Sequence, residues 1–155
     1  MLTVEIPGRA PLTLNHLVLD YNGTIAEDGI VIEGIAERLE ELKNLLSICV
    51  ITADTHGTAA KRCEGLPLEV LTYPTVEVGT IKAEQVKALS GGVVCIGNGY
   101  NDILMSDAAD LSIAVIGKEG CCGALLQHAD VVVTDILDAL VMLLKSGRLR
   151  ATLRT

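Results

Sequence analysis

The sequence predicts a doubly wound α/β fold on a mostly parallel sheet, and three observations carry that reading. Short runs rich in Val, Ile and Leu, at residues 17–21, 47–52, 68–71, 93–97, 111–116 and 131–133, alternate with segments of helical periodicity. The runs lack the apolar–polar alternation of a half-exposed strand, as strands covered by helices on both faces do. Several of them end in Gly, Asn, Asp or Thr, at the carboxyl ends of the strands where such folds bind ligands.

Taken in order, "LTVEIPGRAPLTLNHL" reads as an added strand or hairpin at a sheet edge, where Pro7 and Pro11 are tolerated. After the first buried strand, Ile35, Leu39, Leu42 and Leu46 recur at helical spacing, with Glu37, Glu40 and Glu41 on the outer face. Further helices are expected near 56–65, 79–89, 101–108, 119–128 and 135–145, each between two strands or after the last. The end of the chain carries Lys145, Arg148, Arg150 and Arg154 without acidic neighbours. It reads as a solvated, partly frayed basic tail, 145–155, or as a docking segment for an acidic surface. With no linker, repeat or low-complexity stretch, residues 1–155 are expected to form one domain.

Composition narrows the function. Half of the 155 residues are hydrophobic, yet there is no Phe or Trp and there are three Tyr, so the core is aliphatic and recognition by ring stacking is not expected. A net charge of −8 disfavours nucleic acid as a partner. No apolar run approaches the roughly 20 residues that span a bilayer, and the N-terminus lacks the order of a signal peptide, so no membrane insertion is expected. Of five cysteines, Cys49 and Cys95 lie in strand-like runs and read as core residues. Cys121 and Cys122 are adjacent, too close for an ordinary disulfide and without zinc-site spacing. A reducing, cytoplasmic location fits this usage.

The chemistry-bearing residues cluster at strand ends. "LVLDYNGTI" ends a buried run in Asp20, Asn22, Gly23 and Thr24; "VITAD" ends another in Thr52, Ala53 and Asp54; "IGNGYND" supplies Asn98 and Asp102; Lys82 stands early in the helix before that last run. A carboxylate at the tip of a buried strand is costly without a partner. Asp20 could cap a turn, ligate a metal or act as a nucleophile. A strand-tip carboxylate can attack phosphorus to give an aspartyl phosphate. Mg²⁺, Lys82, the Thr52 hydroxyl and the amides of the 22–24 turn would neutralise and orient the phosphoryl group. Each piece alone has a plainer reading as a turn, a cap or a solvated lysine; in order, at successive strand ends, they become specific.

"DYNGT", "VITAD", Lys82 and "IGNGYND" resemble the four motifs of the haloacid dehalogenase superfamily, and most closely the phosphorylation domain of P-type ATPases. "ITADTHGTAAKRCEGL" and "VVCIGNGYNDILMSDAADLSIAVIG" followed by "HADVVVTDILDAL" extend the likeness over residues 15–144. The resemblance implies a Rossmann-like core, a nucleophile at Asp20 and phosphate binding by Asn22, Gly23, Thr24, Thr52, Ala53 and Lys82. It implies Mg²⁺ held by Asp20, the Asn22 carbonyl, Asn98 and Asp102.

Three departures matter. Phosphatases of the superfamily carry an Asp general acid–base where this chain has Asn22, which cannot relay a proton. A metal-ligating Asp is replaced by Asn98, so metal affinity should fall and Asp102 should take over part of the role. The segments 25–51 and 53–81 leave no room for a cap domain. The expected function is a Mg²⁺-dependent phosphohydrolase or phosphotransferase, attenuated at Asn22, acting on a small phosphorylated substrate and covered by a second copy in a homo-oligomer. The alternative is a non-catalytic or regulatory phosphate-binding protein. A third reading, a detached partner of a membrane transporter, rests on the basic tail alone. Substrate-specificity residues are expected on "AEDGIV" and "THGTA".

Overall fold

The structure, a computed structural model, describes residues 1–54, 57–74 and 76–155. Its centre is a six-stranded parallel sheet made of β3 (His16–Leu19), β6 (Ser47–Thr52), β7 (Glu69–Thr72), β8 (Val93–Gly97), β9 (Leu111–Val115) and β10 (Val131–Val133). The strand order is β10-β9-β8-β3-β6-β7. The chain winds outward from β3 through β6 to β7, returns to β8 on the other side of β3, and winds outward again. The switch point therefore lies between β3 and β8, where α/β sheets open a crevice at their carboxyl ends.

The expected buried runs are the strands, with ends shifted by a residue or two. The first run stops at Leu19 because the carbonyl of Tyr21 accepts the amides of Thr24, Ile25 and Ala26, which closes the chain into a turn. β8 and β9 are buried at every position, which is why neither shows polar alternation. Side chains of β3 alternate between the faces: Leu17 and Leu19 join the larger apolar cluster, and Val18 joins the smaller one with Val86, Cys95 and Met105. Cys49 is half-buried and Cys95 buried, as their runs implied.

The larger cluster is covered by α1 (Ile35–Leu42) and α5 (Ile136–Leu144), the smaller by α3 (Val78–Ala88) and α4 (Ile103–Ala108). α1 is shorter than its apolar spacing suggested; after Leu42 two tight turns still bury Leu46. α2 (Thr58–Arg62) is a short helix, and position 56, where a helix was expected to begin, lies outside the described residues. The helix expected at 119–128 is instead a 3₁₀ segment, Gly123–Gln127. Gly120, at φ +81°, closes a tight turn with Gly117 just before it, a conformation that interrupts a helix.

At the N-terminus, β1 (Leu2–Val4) and β2 (Leu12–Leu14) form an antiparallel hairpin with its own two-stranded sheet, beside the central sheet rather than extending it. The tail expected to be frayed is a helix, α6 (Gly147–Leu153), packed against β1. Leu149 is fully buried and Leu153 half-buried, while Arg148, Arg150 and Arg154 face water. The missed signal is Leu149-x₃-Leu153, one apolar side on an otherwise basic segment. A small hairpin, β4 (Ala26–Glu27) and β5 (Ile30–Val31), and α1 are all that lies between β3 and β6, and α2 is the only element between β6 and β7 among the described residues. No described helix is long and apolar enough to cross a membrane.

Candidate active site

Asp20 leaves the tip of β3, its amide still bonded to the carbonyl of Ile96 in the neighbouring β8 at 3.0 Å. It lies two residues beyond Val18 and so emerges on the face covered by α3 and α4. On α3, Val78, Lys82 and Val86 form one buried stripe at four-residue spacing, and the lysine is its single polar member. Lys82 is completely buried and bonds two carboxylates, Asp20 Oδ1 at 2.6 Å and Asp102 Oδ1 at 2.7 Å. The other oxygen of Asp102 accepts the amides of Asn98 and Gly99 at 3.0 and 2.9 Å. Asp102 thus ties the 98–102 loop to α3. Gly97 is required beneath it, since a Cβ there would sit 2.5 Å from the Asp102 carboxylate.

The cleft above this base has a volume of about 400 Å³ and is lined by Asp20, Asn22, Thr52, Ala53, Asn98, Gly99, Tyr100 and Asn101. Two buried carboxylates share one ammonium, so the base carries an excess negative charge. Burial, and then the charge of Asp102, raise the Asp20 carboxyl from 3.8 to about 6, with Lys82 pulling the other way. The Lys82 ammonium is held above its usual range by its two carboxylates, against the opposing effect of burial.

The Thr24 hydroxyl lies 3.2 Å from both Asp20 Oδ2 and Asn98 Oδ1. It has one proton for two acceptors. Asn98 is oriented by its own amide group: Nδ2 donates to the Gly120 carbonyl at 3.1 Å, which leaves Oδ1 to accept from the Thr24 hydroxyl. The amide of Cys122 then donates to the Asn98 carbonyl at 2.8 Å, so the 120–122 loop clamps this residue at both ends. Gly23, at φ +78°, passes so close that a Cβ would meet Asn98 Nδ2 at 2.2 Å. An excess of negative charge and two oxygen acceptors converging on one hydroxyl suit a hard cation with oxygen ligands. Asp20 and Asn98, with Asn22 lining the same cleft, are groups that could hold one.

Two sequence expectations change. The amides of Gly23 and Thr24 are not free for phosphate: they donate to the carbonyls of Ala26 and Tyr21 at 2.9 and 3.2 Å. Gly23 and Thr24 instead line a separate hollow of about 210 Å³ beside Lys118 and Glu119. Asp102, expected to share the metal, is fully buried below the cleft with both oxygens engaged, and acts as an anchor. Of the expected specificity loops, Thr55 and His56 lie outside the described residues. Sequence reasoning missed Tyr100 and Asn101, which wall the cleft, and the Gly120 carbonyl. The first two stood inside the quoted "IGNGYND"; a backbone carbonyl leaves no sequence signal.

A carboxylate at the tip of the central strand, pinned by a buried lysine next to a hydroxyl and an amide, is an arrangement with the groups that phosphoryl transfer requires. No family model matches the chain. It is 50% identical over 62 residues to an uncharacterised protein of Methanocaldococcus jannaschii, covering 40% of this chain and 67% of that one. It is 31% identical over 126 residues to a phospholipid-transporting ATPase of Saccharomyces cerevisiae, covering 75% of this chain but only 11% of the pump. Its fold matches the cobalt-bound deoxy-D-mannose-octulosonate 8-phosphate phosphatase of Haemophilus influenzae with a TM-score of 0.72 at 13% identity, over 92% of this chain and 94% of that one. It matches the 3-deoxy-D-manno-octulosonate 8-phosphate phosphatase of Moraxella catarrhalis, a structure with magnesium, phosphate and sugar, with a TM-score of 0.69 at 16% identity, over 90% of each. The fold is that of haloacid dehalogenase hydrolases, among them a putative one of Streptomyces avermitilis matched with a TM-score of 0.65 at 19% identity, over 83% of this chain and 81% of that one.

Proposed function

We propose that the protein is a phosphatase or phosphotransferase that works through a phosphoaspartate on Asp20. The observation that carries this reading is the buried Lys82 bonded to Asp20 at 2.6 Å beneath an open cleft. The lysine holds the carboxylate in place and offsets charge brought by a phosphate. A carboxylate oxygen of Asp20 bonds to phosphorus as the bond to the leaving oxygen breaks. Thr52, which lines the cleft, donates its hydroxyl proton to a phosphoryl oxygen in this reading. Water then attacks phosphorus, the bond to Asp20 breaks, and phosphate leaves.

A divalent cation, Mg²⁺ by the oxygen character of the ligands, supplies charge neutralisation when bound at Asp20, Asn98 and the Asn22 carbonyl. The magnesium and cobalt in the two phosphatases of similar fold support this assignment.

Asn22 is exposed at the cleft and has no proton to exchange. Leaving groups must therefore take their proton from water, which makes alkyl phosphates slow and acyl or aryl phosphates the better donors. The substrate is small and phosphorylated, and the site is open enough for a second copy to cover it. Five free cysteines suit a cytoplasmic setting.

The test uses acetyl phosphate and Mg²⁺. Wild type should gain one phosphoryl group by mass and release phosphate, and Asp20→Asn should do neither while remaining folded. Turnover retained in Asp20→Asn would remove the nucleophile assignment. A stable adduct without turnover would favour the regulatory alternative.

A further inference from the structure

Beside the cleft lies a second hollow of about 410 Å³, and the two share Tyr100 and Asn101 as lining residues. The second is otherwise walled by the start of α3, from Glu77 to Thr80, and by Ile103 and Leu104. Tyr100 is 75% exposed and Leu104, one helical turn on, is 48% exposed. The chain has three tyrosines and no Phe or Trp. Tyr21 is buried and Tyr73 half-buried, so Tyr100 is the one exposed tyrosine. It stands at the rim of the nucleophile's cleft.

The backbone that presents this ring is fixed. The Asp102 amide bonds the Gly99 carbonyl at 3.1 Å, and a Cβ on Gly79 would touch the Asn101 carbonyl at 3.2 Å, so α3 abuts the loop directly. A ring held on a rigid backbone binds with little ordering cost. The charges around the groove are equally informative. Among the described residues lining the two hollows, the charged ones are Asp20 and Glu77, and none is Lys, Arg or His. The nearby lysine, Lys82, is buried and committed to two carboxylates. A second phosphate or a carboxylate on the leaving group would meet no cation among the described lining residues and would be repelled by Glu77.

We propose that the two hollows form one substrate groove, with the phosphoryl group over Asp20 and the leaving group resting on Tyr100 and Leu104. The substrate class is a monophosphate whose leaving group is uncharged and carries a ring or another apolar face. Nucleoside triphosphates and bisphosphates fall outside it. This assignment rests on the phosphoryl-transfer reading of Asp20, and the experiment separates the two.

Calorimetric binding of phenylphosphonate and methylphosphonate in the presence of Mg²⁺ needs no turnover. The phenyl compound should bind about tenfold more tightly, in line with a ring–ring contact added to apolar burial. Tyr100→Ala should bring the two within about twofold of each other, and Tyr100→Phe should keep the preference, because the ring rather than its hydroxyl makes the contact. A carboxylate at the para position of the ring should weaken binding. Equal or undetectable binding of both phosphonates, or a preference unchanged in Tyr100→Ala, would overturn the groove and leave Asp20-dependent turnover of acetyl phosphate standing. Turnover independent of Asp20 with the phenyl preference intact would remove the chemistry and leave the groove. A fall in molar mass by light scattering in Tyr100→Ala, with the preference unchanged, would assign the patch to a second copy and end the proposal.

Discussion

Between about pH 4 and pH 6, Asp20 holds in the folded protein a proton that the unfolded chain has already released. Its carboxyl sits at about 6, raised by burial and by Asp102 from an ordinary 3.8. Between those values the native state binds more protons than the unfolded state, so stability falls as pH rises. The metal-free protein should therefore lose stability from about pH 4 to pH 6 through this group and level off above. Urea unfolding across that range should show a shallower decline for Asp20→Asn than for wild type, and parallel curves would refute the account. Asn98 makes a second residue-scale prediction. A carboxylate in its place would strengthen charge attraction for a divalent cation, but it would face the Gly120 carbonyl without the proton that now bridges them. Asn98→Asp should cost the metal-free protein about 1–3 kcal/mol, the usual penalty for an unsatisfied buried acceptor. Its melting temperature should then rise more on adding Mg²⁺ than that of wild type. An unchanged metal-free melting temperature would mean that Gly120 does not select the amide. Asp20, Asn22, Thr52, Asn98 and Asp102 were legible as a set because each stands at or just after the end of a buried run, and Lys82 joined them from the helix before the last of those runs. The partition between cleft and base was not legible, since it depends on which oxygens the backbone amides already occupy.

At the scale of elements, α6 shows where sequence and structure part. The basic side chains dominate the segment's composition, yet Leu149 is buried among residues that include Val4 and Ile6 of the N-terminal hairpin region. Removing that side chain leaves a cavity in the main core. Leu149→Ala should lower stability by about 2–5 kcal/mol, read by urea denaturation. Arg150→Ala, exposed on the same helix, should change it by less than about 0.5 kcal/mol. Equal losses from the two variants would show that charge rather than burial holds the helix. The parallel strands were legible because burial on both faces writes itself as a continuous apolar run. The 3₁₀ segment at Gly123–Gln127 was not, because a turn at Gly117–Gly120 outweighs the helical spacing that follows it.

For the whole molecule, the sheet order puts β3 between β6 and β8, so the strand that carries Asp20 at its tip is paired on both sides and far from either edge. The strand order could not be read from the sequence, where β8 is remote from β3. Its thiols turn that arrangement into a clock. Cys95, on β8, is buried beside Val18, and burial pushes its thiol well above the ordinary range. Cys121 and Cys122 are half-buried on the loop that clamps Asn98. Alkylation under native conditions should reach Cys121 and Cys122 by local opening of that loop, while Cys95 should wait for the sheet to come apart. Mass spectrometry over time should show two phases, with the Cys95 phase accelerating in urea as steeply as global unfolding does. If Cys95 were labelled as fast as Cys122, the strand pair β3–β8 would be opening on its own, and the bed on which Asp20 rests would be the least durable part of the protein rather than the most.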